Sequence, residues 1–151
     1  MKNSPLLEVV LKIQEKGDAR YLGYSGDNEA ASWAVSTGIF QALQTTCNLL
    51  DQKALFGLCQ DAKSKGLGTI IKRPLANGIW DPLHTARKGE PHYEIYFKRA
   101  AAMEDLRLDH NNPLKAAFDF IFSQSFFDTA IIGTKDFGHL KQNLDWIKKN
   151  N

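Results

Sequence analysis

The stretch Lys65-Gly66-Leu67-Gly68-Thr69-Ile70-Ile71-Lys72-Arg73-Pro74 decides how this chain folds. Gly66 stops a helix that opens near Asp51 and whose buried face reads Leu55, Leu58, Cys59 and Ala62. Gly68 to Lys72 is a short apolar strand, and Pro74, which has no N–H to give a ladder, closes it. Helix, glycine stop, short strand, polar turn: the same order repeats on both sides. Toward the N-terminus, Ser4-Pro5 opens a helix with Leu6, Val9, Val10 and Ile13 on one face, and Gly17 ends it. A strand-like run from Ala19 to Tyr24 then reaches the turn Ser25-Gly26-Asp27. Asp27 is placed to cap a helix through Trp33 and Val35 that stops at Gly38, and a second strand follows from Ala42 to Cys47.

Toward the C-terminus, residues 74–92 form one long irregular stretch containing Pro74, Gly78, Pro82, Gly89 and Pro91. Loops of that length in compact domains tend to carry function. Helical pattern resumes from Tyr93 to about Leu108. Asn112-Pro113 opens another helix, with Leu114, Ala117, Phe118, Ile121 and Phe122 at helical spacing. A fourth strand, Thr129 to Ile132, ends at Gly133-Thr134-Lys135, and the last helix is expected to turn Phe137, Leu140, Leu144 and Ile147 inward. The chain thus reads as a helix followed by four strand–helix repeats, an α/β fold with a parallel sheet, in a single domain over residues 1–151. A small doubly wound sheet is the alternative. No strand leads into the Gly-x-Gly-x-x-Gly turn of dinucleotide-binding folds, and Gly66-Leu67-Gly68 lies on the wrong side of its strand.

Composition narrows the function classes. Lys+Arg number 19 against 17 Asp+Glu, a net charge of +2 without clustering, which argues against nucleic acid or a membrane surface as partner. Apolar runs are too short to span a bilayer. Cys47 and Cys59, without a further cysteine or histidine at ligand spacing, read as buried free thiols of a cytoplasmic protein. His84, His92, His110 and His139 are isolated from one another, so no metal site is expected, and Asp136-Phe137-Gly138 matches a kinase triplet by chance.

The polar clusters Ser25-Gly26-Asp27, Gln44 with Asn48, Lys72-Arg73 and Gly133-Thr134-Lys135 all fall at the C-terminal ends of strands. Parallel α/β folds keep their ligand sites there. Gly133-Thr134-Lys135 combines close backbone access, a helix N-terminus, a hydroxyl and a positive charge, or else is an ordinary turn capped by Thr134 or Asp136. Gln44, an amide within an apolar strand, is either a satisfied core group or a ligand contact.

Arg20-Tyr21-Leu22-Gly23-Tyr24-Ser25-Gly26, Gln44 through Asn48-Leu49, Arg73-Pro74-Leu75-Ala76-Asn77-Gly78, and Ile132-Gly133-Thr134-Lys135 with His139-Leu140 and Gln142-Asn143 together resemble the aldo-keto reductases in order and spacing. The resemblance covers nearly the whole chain but only the second half of that family's (β/α)8 barrel, a half TIM barrel corresponding to strands 5–8. It implies reduction of aldehydes or ketones with NADPH as cofactor. By position Ser25 matches the serine, and Gln44 the glutamine, that hold the nicotinamide carboxamide, while Gly26 stands where the family usually has an asparagine. Lys72 replaces a frequent ring-stacking tyrosine. Arg73, Leu75, Asn77 and Gly78 would border the pyrophosphate. Gly133, Thr134 and Lys135 would face the 2′-phosphate, with His139 in place of a frequent arginine, and Gln142 and Asn143 would approach the adenine.

The family's proton-transfer aspartate, tyrosine, lysine and histidine come from the first four strands, which this chain does not match. None of Tyr21, Tyr24, Tyr93 or Tyr96 occupies an equivalent place in the sequence. Four strands, mostly apolar, also leave two sheet edges and an open lumen face. Three outcomes follow: a dimer that closes a barrel with itself, docking with a separate N-terminal half-barrel, or a truncated form of marginal stability. The rival function is a non-catalytic interaction or scaffold protein acting through its strand edges, and a third reading is a phosphate-binding α/β domain for an unrelated ligand.

Overall fold

The computed structural model describes residues 4–80, 89, 91–103 and 112–150. The chain runs α1 (Pro5–Glu15), β1 (Gly23–Ser25), α2 (Asn28–Thr37), β2 (Ala42–Thr46), α3 (Leu58–Ser64), β3 (Gly68–Lys72), a 3-10 turn (Ala76–Gly78), α4 (Pro91–Ala102), α5 (Pro113–Phe122), β4 (Thr129–Ala130) and α6 (Phe137–Asn150). The strands form one parallel sheet in the order β1-β2-β3-β4. This is the alternating α/β architecture read from the sequence, with consecutive strands adjacent and no return across the sheet. The expectations at Pro82, His84, Leu108 and His110, and at the side chain of His92, fall outside the described residues.

Side chains alternate across a strand, so register and packing together assign the two faces. Leu43 packs with Ala31 and Val35 of α2 and Ala62 of α3, while Ile71 packs with Cys59 of α3 and Ile121 of α5. The face toward the helices therefore carries the apolar residues, and both cysteines are buried there as free thiols. The opposite face is made of rows set by the register. Gly23, Ala42 and Gly68 lie side by side, then Ser25, Gln44, Ile70 and Thr129, then Thr46 and Lys72. These rows are mostly small or polar, Ile70 excepted, because the helices take up most of the bulky apolar residues.

The flanking helices also depart from expectation. On α1, Leu7, Val10 and Leu11 pack against Leu22, Ala34 and Phe40, but Leu6, Val9 and Ile13 are exposed, Leu6 by 73%. On α6, Phe137, Leu140 and Leu144, expected to point inward, are exposed, Phe137 by 80%. Between α5, β4 and α6 remains a largely apolar cavity of about 410 Å3 lined by Phe118, Phe122, Phe127 and Ile147 among others. Helix α6 packs beside α5 and leaves this space unfilled.

Strand β2 ends one residue early, at Thr46, and three further elements are shorter than the sequence suggests. Strand β1 begins at Gly23, because the Gln41 side chain accepts from the Leu22 N–H at 2.9 Å and takes the place of a ladder bond. Helix α3 begins at Leu58, not near Asp51. Backbone bonds of 3.0 Å in both directions between Asn48 and Asp51, and the Asn48 side chain accepting from the Leu50 N–H, fold that segment into a turn. Strand β4 spans two residues. By contrast β3 and α5 match their expected limits, and Asn112 caps α5 by accepting from the Lys115 N–H at 3.0 Å.

Candidate functional site

The polar clusters gather where the parallel strands end. Ser25 and Gln44 are register partners on β1 and β2, and the Ser25 hydroxyl donates to Gln44 Oε1 at 2.8 Å. Gln44 is half-buried and partnered through its side-chain oxygen, and its amide nitrogen carries two further donors. Such a pair offers a donor and an acceptor side by side, the complement of a carboxamide. Ile70 and Thr129 continue the same row, giving the pair an apolar neighbour.

Beyond Ser25 the chain turns at Gly26, whose N–H bonds to the Gln44 carbonyl at 3.0 Å. A side chain at residue 26 would start 2.6 Å from the Tyr24 ring, itself wedged beside Trp33 and Phe40 at centroid distances of 6.1 and 5.4 Å. A side chain here would have to displace the Tyr24 ring, so the packing of Tyr24 favours glycine.

Asp27 does not cap α2, for its side chain makes no bond to the helix. Its carboxylate instead accepts from the Thr46 N–H at 2.7 Å and the Thr45 hydroxyl at 3.0 Å, and pairs with the Lys72 ammonium at 3.1 Å. Burial works to raise its pKa, but the Thr46 N–H, Lys72 and Thr45 outweigh it and hold the carboxyl below the ordinary range. Lys72, expected at the ring-stacking position, is thereby drawn to Asp27 across β2. Sequence reasoning missed this junction. Its only trace is a pair of threonines closing β2 opposite an aspartate closing β1.

The loop after β3 is conformationally unusual. Arg73, Ala76 and Asn77 adopt positive φ of 57°, 48° and 58° without being glycine, which costs about 1–2 kcal/mol each. The surrounding contacts hold them there. Asn48, fully buried, donates to the Arg73 carbonyl at 3.0 Å and to the Tyr96 hydroxyl at 3.2 Å, and Ala76 is buried against Leu50 and Tyr96. Burial raises the Tyr96 phenol's pKa, while hydrogen bonds from Asn48 and Arg73 work the other way. Tyr96 therefore reaches the C-terminal end of the sheet, but at 1% exposure it is a structural anchor. Leu75 and Asn77 are half-buried beside it, and Gly78 closes the 3-10 turn with φ of 76°.

At the far edge Gly133, Thr134, Lys135 and His139 are exposed. The Thr134 hydroxyl accepts from the Asp136 N–H at 3.1 Å, and the Asp136 carboxylate accepts from the His139 N–H at 2.9 Å. That bond is what lowers the Asp136 pKa most. A negative charge thus caps the start of α6 beside Lys135. Gln142 is exposed, whereas Asn143 is buried. The structure therefore brings Ser25, Gly26, Gln44 and Lys72 together and sets Arg73, Leu75, Asn77 and Gly78 beside them, while the residues after β4 form a separate exposed turn.

Among the described residues no group of three His, Cys, Asp or Glu side chains comes together as a metal site, and no helix is long and apolar enough to cross a membrane. Fold and site define half of a parallel (β/α)8 barrel with its polar groups at the C-terminal end. Neither a protein-family model nor a curated protein matches the sequence. Among solved structures the chain is similar to the aldo-keto reductase AKR11C1 from Bacillus halodurans. Against the holo form the TM-score is 0.73 at 18% identity, covering 98% of this chain and 52% of that one. Against the apo form it is 0.71 at 19% identity, covering 97% and 52%. The chain has a partial aldo-keto reductase fold and spans about half the length of the enzyme it matches.

Proposed function

We propose that this chain is the nucleotide-binding half of an NADPH-dependent aldo-keto reductase of the cytoplasm, working as one unit over residues 1–151. Reduction of an aldehyde or ketone would require the proton-transfer aspartate, tyrosine, lysine and histidine from the other half. The observation that carries this reading is the Ser25–Gln44 pair, side by side on the open face of a sheet with the reductase fold. Bound NADPH supplies the hydride. In this reading Ser25 and Gln44 hold the carboxamide, and Gly26, Lys72, Arg73, Leu75, Asn77 and Gly78 border the nicotinamide and pyrophosphate. Gly133, Thr134, Lys135 and His139 lie toward the 2′-phosphate, and Gln142 and Asn143 toward the adenine. The fit is good at the carboxamide end. At the adenosine end Lys135 favours a phosphate and the Asp136 carboxylate opposes it.

Calorimetric titration of the purified chain with NADPH, with NADH as control, tests the proposal. Saturable binding that prefers NADPH, and is weakened by both Gln44→Leu and Lys135→Ala, is expected. A folded chain that binds neither nucleotide would refute it and favour the scaffold reading, which the two sheet edges left open among the described residues support on their own.

A further inference from the structure

Protein interiors pack as densely as organic crystals and hold few voids larger than a water molecule. The cavity of about 410 Å3 bounded by the loop after β3, α5, residues 127–132 and α6 departs from that rule. It lies on the helix side of the sheet, because Ile121, Phe127 and Ala130 on its wall pack in the same cluster as Ile71 and Cys59. The row of Ser25 and Gln44 is on the opposite face, so the cavity is separate from the carboxamide pair. We infer that this cavity is a binding site for a small uncharged aromatic molecule.

The absence of charge follows from the two polar residues on the wall, Asp128 and Thr129. The Asp128 carboxylate is already committed, since it pairs with the Lys63 ammonium and accepts from the Thr69 N–H and hydroxyl at 2.8 and 3.0 Å. Thr129 sits in the row of Ile70, so alternation along β4 turns its hydroxyl to the other face while Ala130 faces the cavity. A charged occupant would therefore stay unpaired, and water would lack the two to four polar partners that hold it.

The preference for an aromatic ring follows from the rest of the wall. Phe118 and Phe122, one turn apart on α5, lie nearly parallel, with centroids 6.1 Å apart and planes at 7°, and Phe127 joins them. Such rings attract a further ring by offset or edge-on stacking. Small-molecule pockets run from about 300 to 1,000 Å3, which places this one among the smaller and suits one or two rings. Phe122, 40% exposed, stands where the cavity meets solvent. Leu75 and Ile132 also line it, beside the turns that follow β3 and β4, so an occupant bears on both turns.

The inference does not rest on nucleotide binding, so its test and the NADPH titration fail separately. Indole is the probe and indole-3-carboxylate the charged control, titrated into the full chain with methyl groups labelled for NMR. Saturable binding of indole at one site is expected, shifting the methyls of Leu75, Ile121, Ile132 and Ile147 and leaving those of Leu6 and Ile13 on α1 in place. The carboxylate should bind at least tenfold more weakly. Two variants that fill the space, Ala130→Leu and Ile147→Phe, should each weaken indole at least tenfold and raise the thermal midpoint. No saturable binding, shifts confined to α1, equal binding of the carboxylate, or unchanged binding by either filled variant with the circular dichroism of the wild type would overturn the inference.

Discussion

Replacing Asp27 by alanine removes the acceptor that joins the ends of three strands. The Thr46 N–H at 2.7 Å and the hydroxyl of fully buried Thr45 at 3.0 Å both lose their partner. Hydrogen bonds to a charged group contribute about 1.5–3 kcal/mol, and a buried donor left unsatisfied costs about 1–3 kcal/mol. The Lys72 pair adds little, because the Asp27 side chain is 36% exposed and solvent screens it. The expected loss is about 2–3 kcal/mol, of which Asp27→Asn recovers part by keeping one acceptor oxygen. Urea unfolding followed by tryptophan fluorescence reads this directly. With a slope of about 1–3 kcal/mol per molar, the midpoint should fall by about 1–2 M. A fall below about 0.3 M would mean that the carboxylate holds no strands together. The pH dependence supplies a second check. The folded pKa of Asp27 lies below its ordinary value, so its contribution is present above that value, near pH 4, and disappears as pH falls through the folded pKa. The gap between wild type and Asp27→Asn should therefore close in acid.

Gly26→Asn, which restores the family's asparagine, should destabilise by about 1–3 kcal/mol by colliding with Tyr24. Tyr24→Leu in the same chain should make the asparagine better tolerated in thermal melts, and an unchanged penalty would refute the collision. Asp136→Asn removes a like charge beside the expected 2′-phosphate, so NADPH affinity should rise about severalfold with NADH unchanged. An equal gain for both nucleotides would refute that placement. Burial pushes the Cys47 thiol up to about 12 and Cys59 to about 11. Iodoacetamide should therefore label them only in step with unfolding, so rapid labelling in native buffer contradicts the packing.

What the sequence could show depended on how far apart the deciding residues lay. Strand β3 and helix α5 were legible to the residue because their signals are local: a glycine before, a proline after, a cap at Asn112. The order of the strands and the gathering of polar residues at one end followed from that pattern. Strand β1 was overextended because nothing near it reveals that Gln41, far along the chain, would satisfy Leu22. The helix from Asp51 was overlong because Asn48 folds that segment into a turn, its side chain accepting the Leu50 N–H and its backbone pairing with Asp51. Asp27 is the clearest case. Its neighbours suggest a helix cap, and only the folded sheet brings Thr45, Thr46 and Lys72 to it. The stripes on α1 and α6 were read correctly as apolar faces, yet periodicity carries no information about what covers them.

The outer strands pair over three residues at β1 and two at β4, too few rungs to define an alignment by themselves. A slip of one residue would exchange Ser25 for Tyr24 in the opening. Asp27 prevents this at one end of the sheet, and Asp128 does so at the other, where its carboxylate accepts from the N–H and hydroxyl of Thr69 at 2.8 and 3.0 Å. Each carboxylate finds both donors in one alignment only, so the two act as locating pins outside the rows they align. Positioning and chemistry are thereby assigned to different residues. Ser25 or Gln44 can be exchanged, and what the opening recognises can drift, without moving a strand. Loss of either aspartate would leave every recognising group intact and displace it.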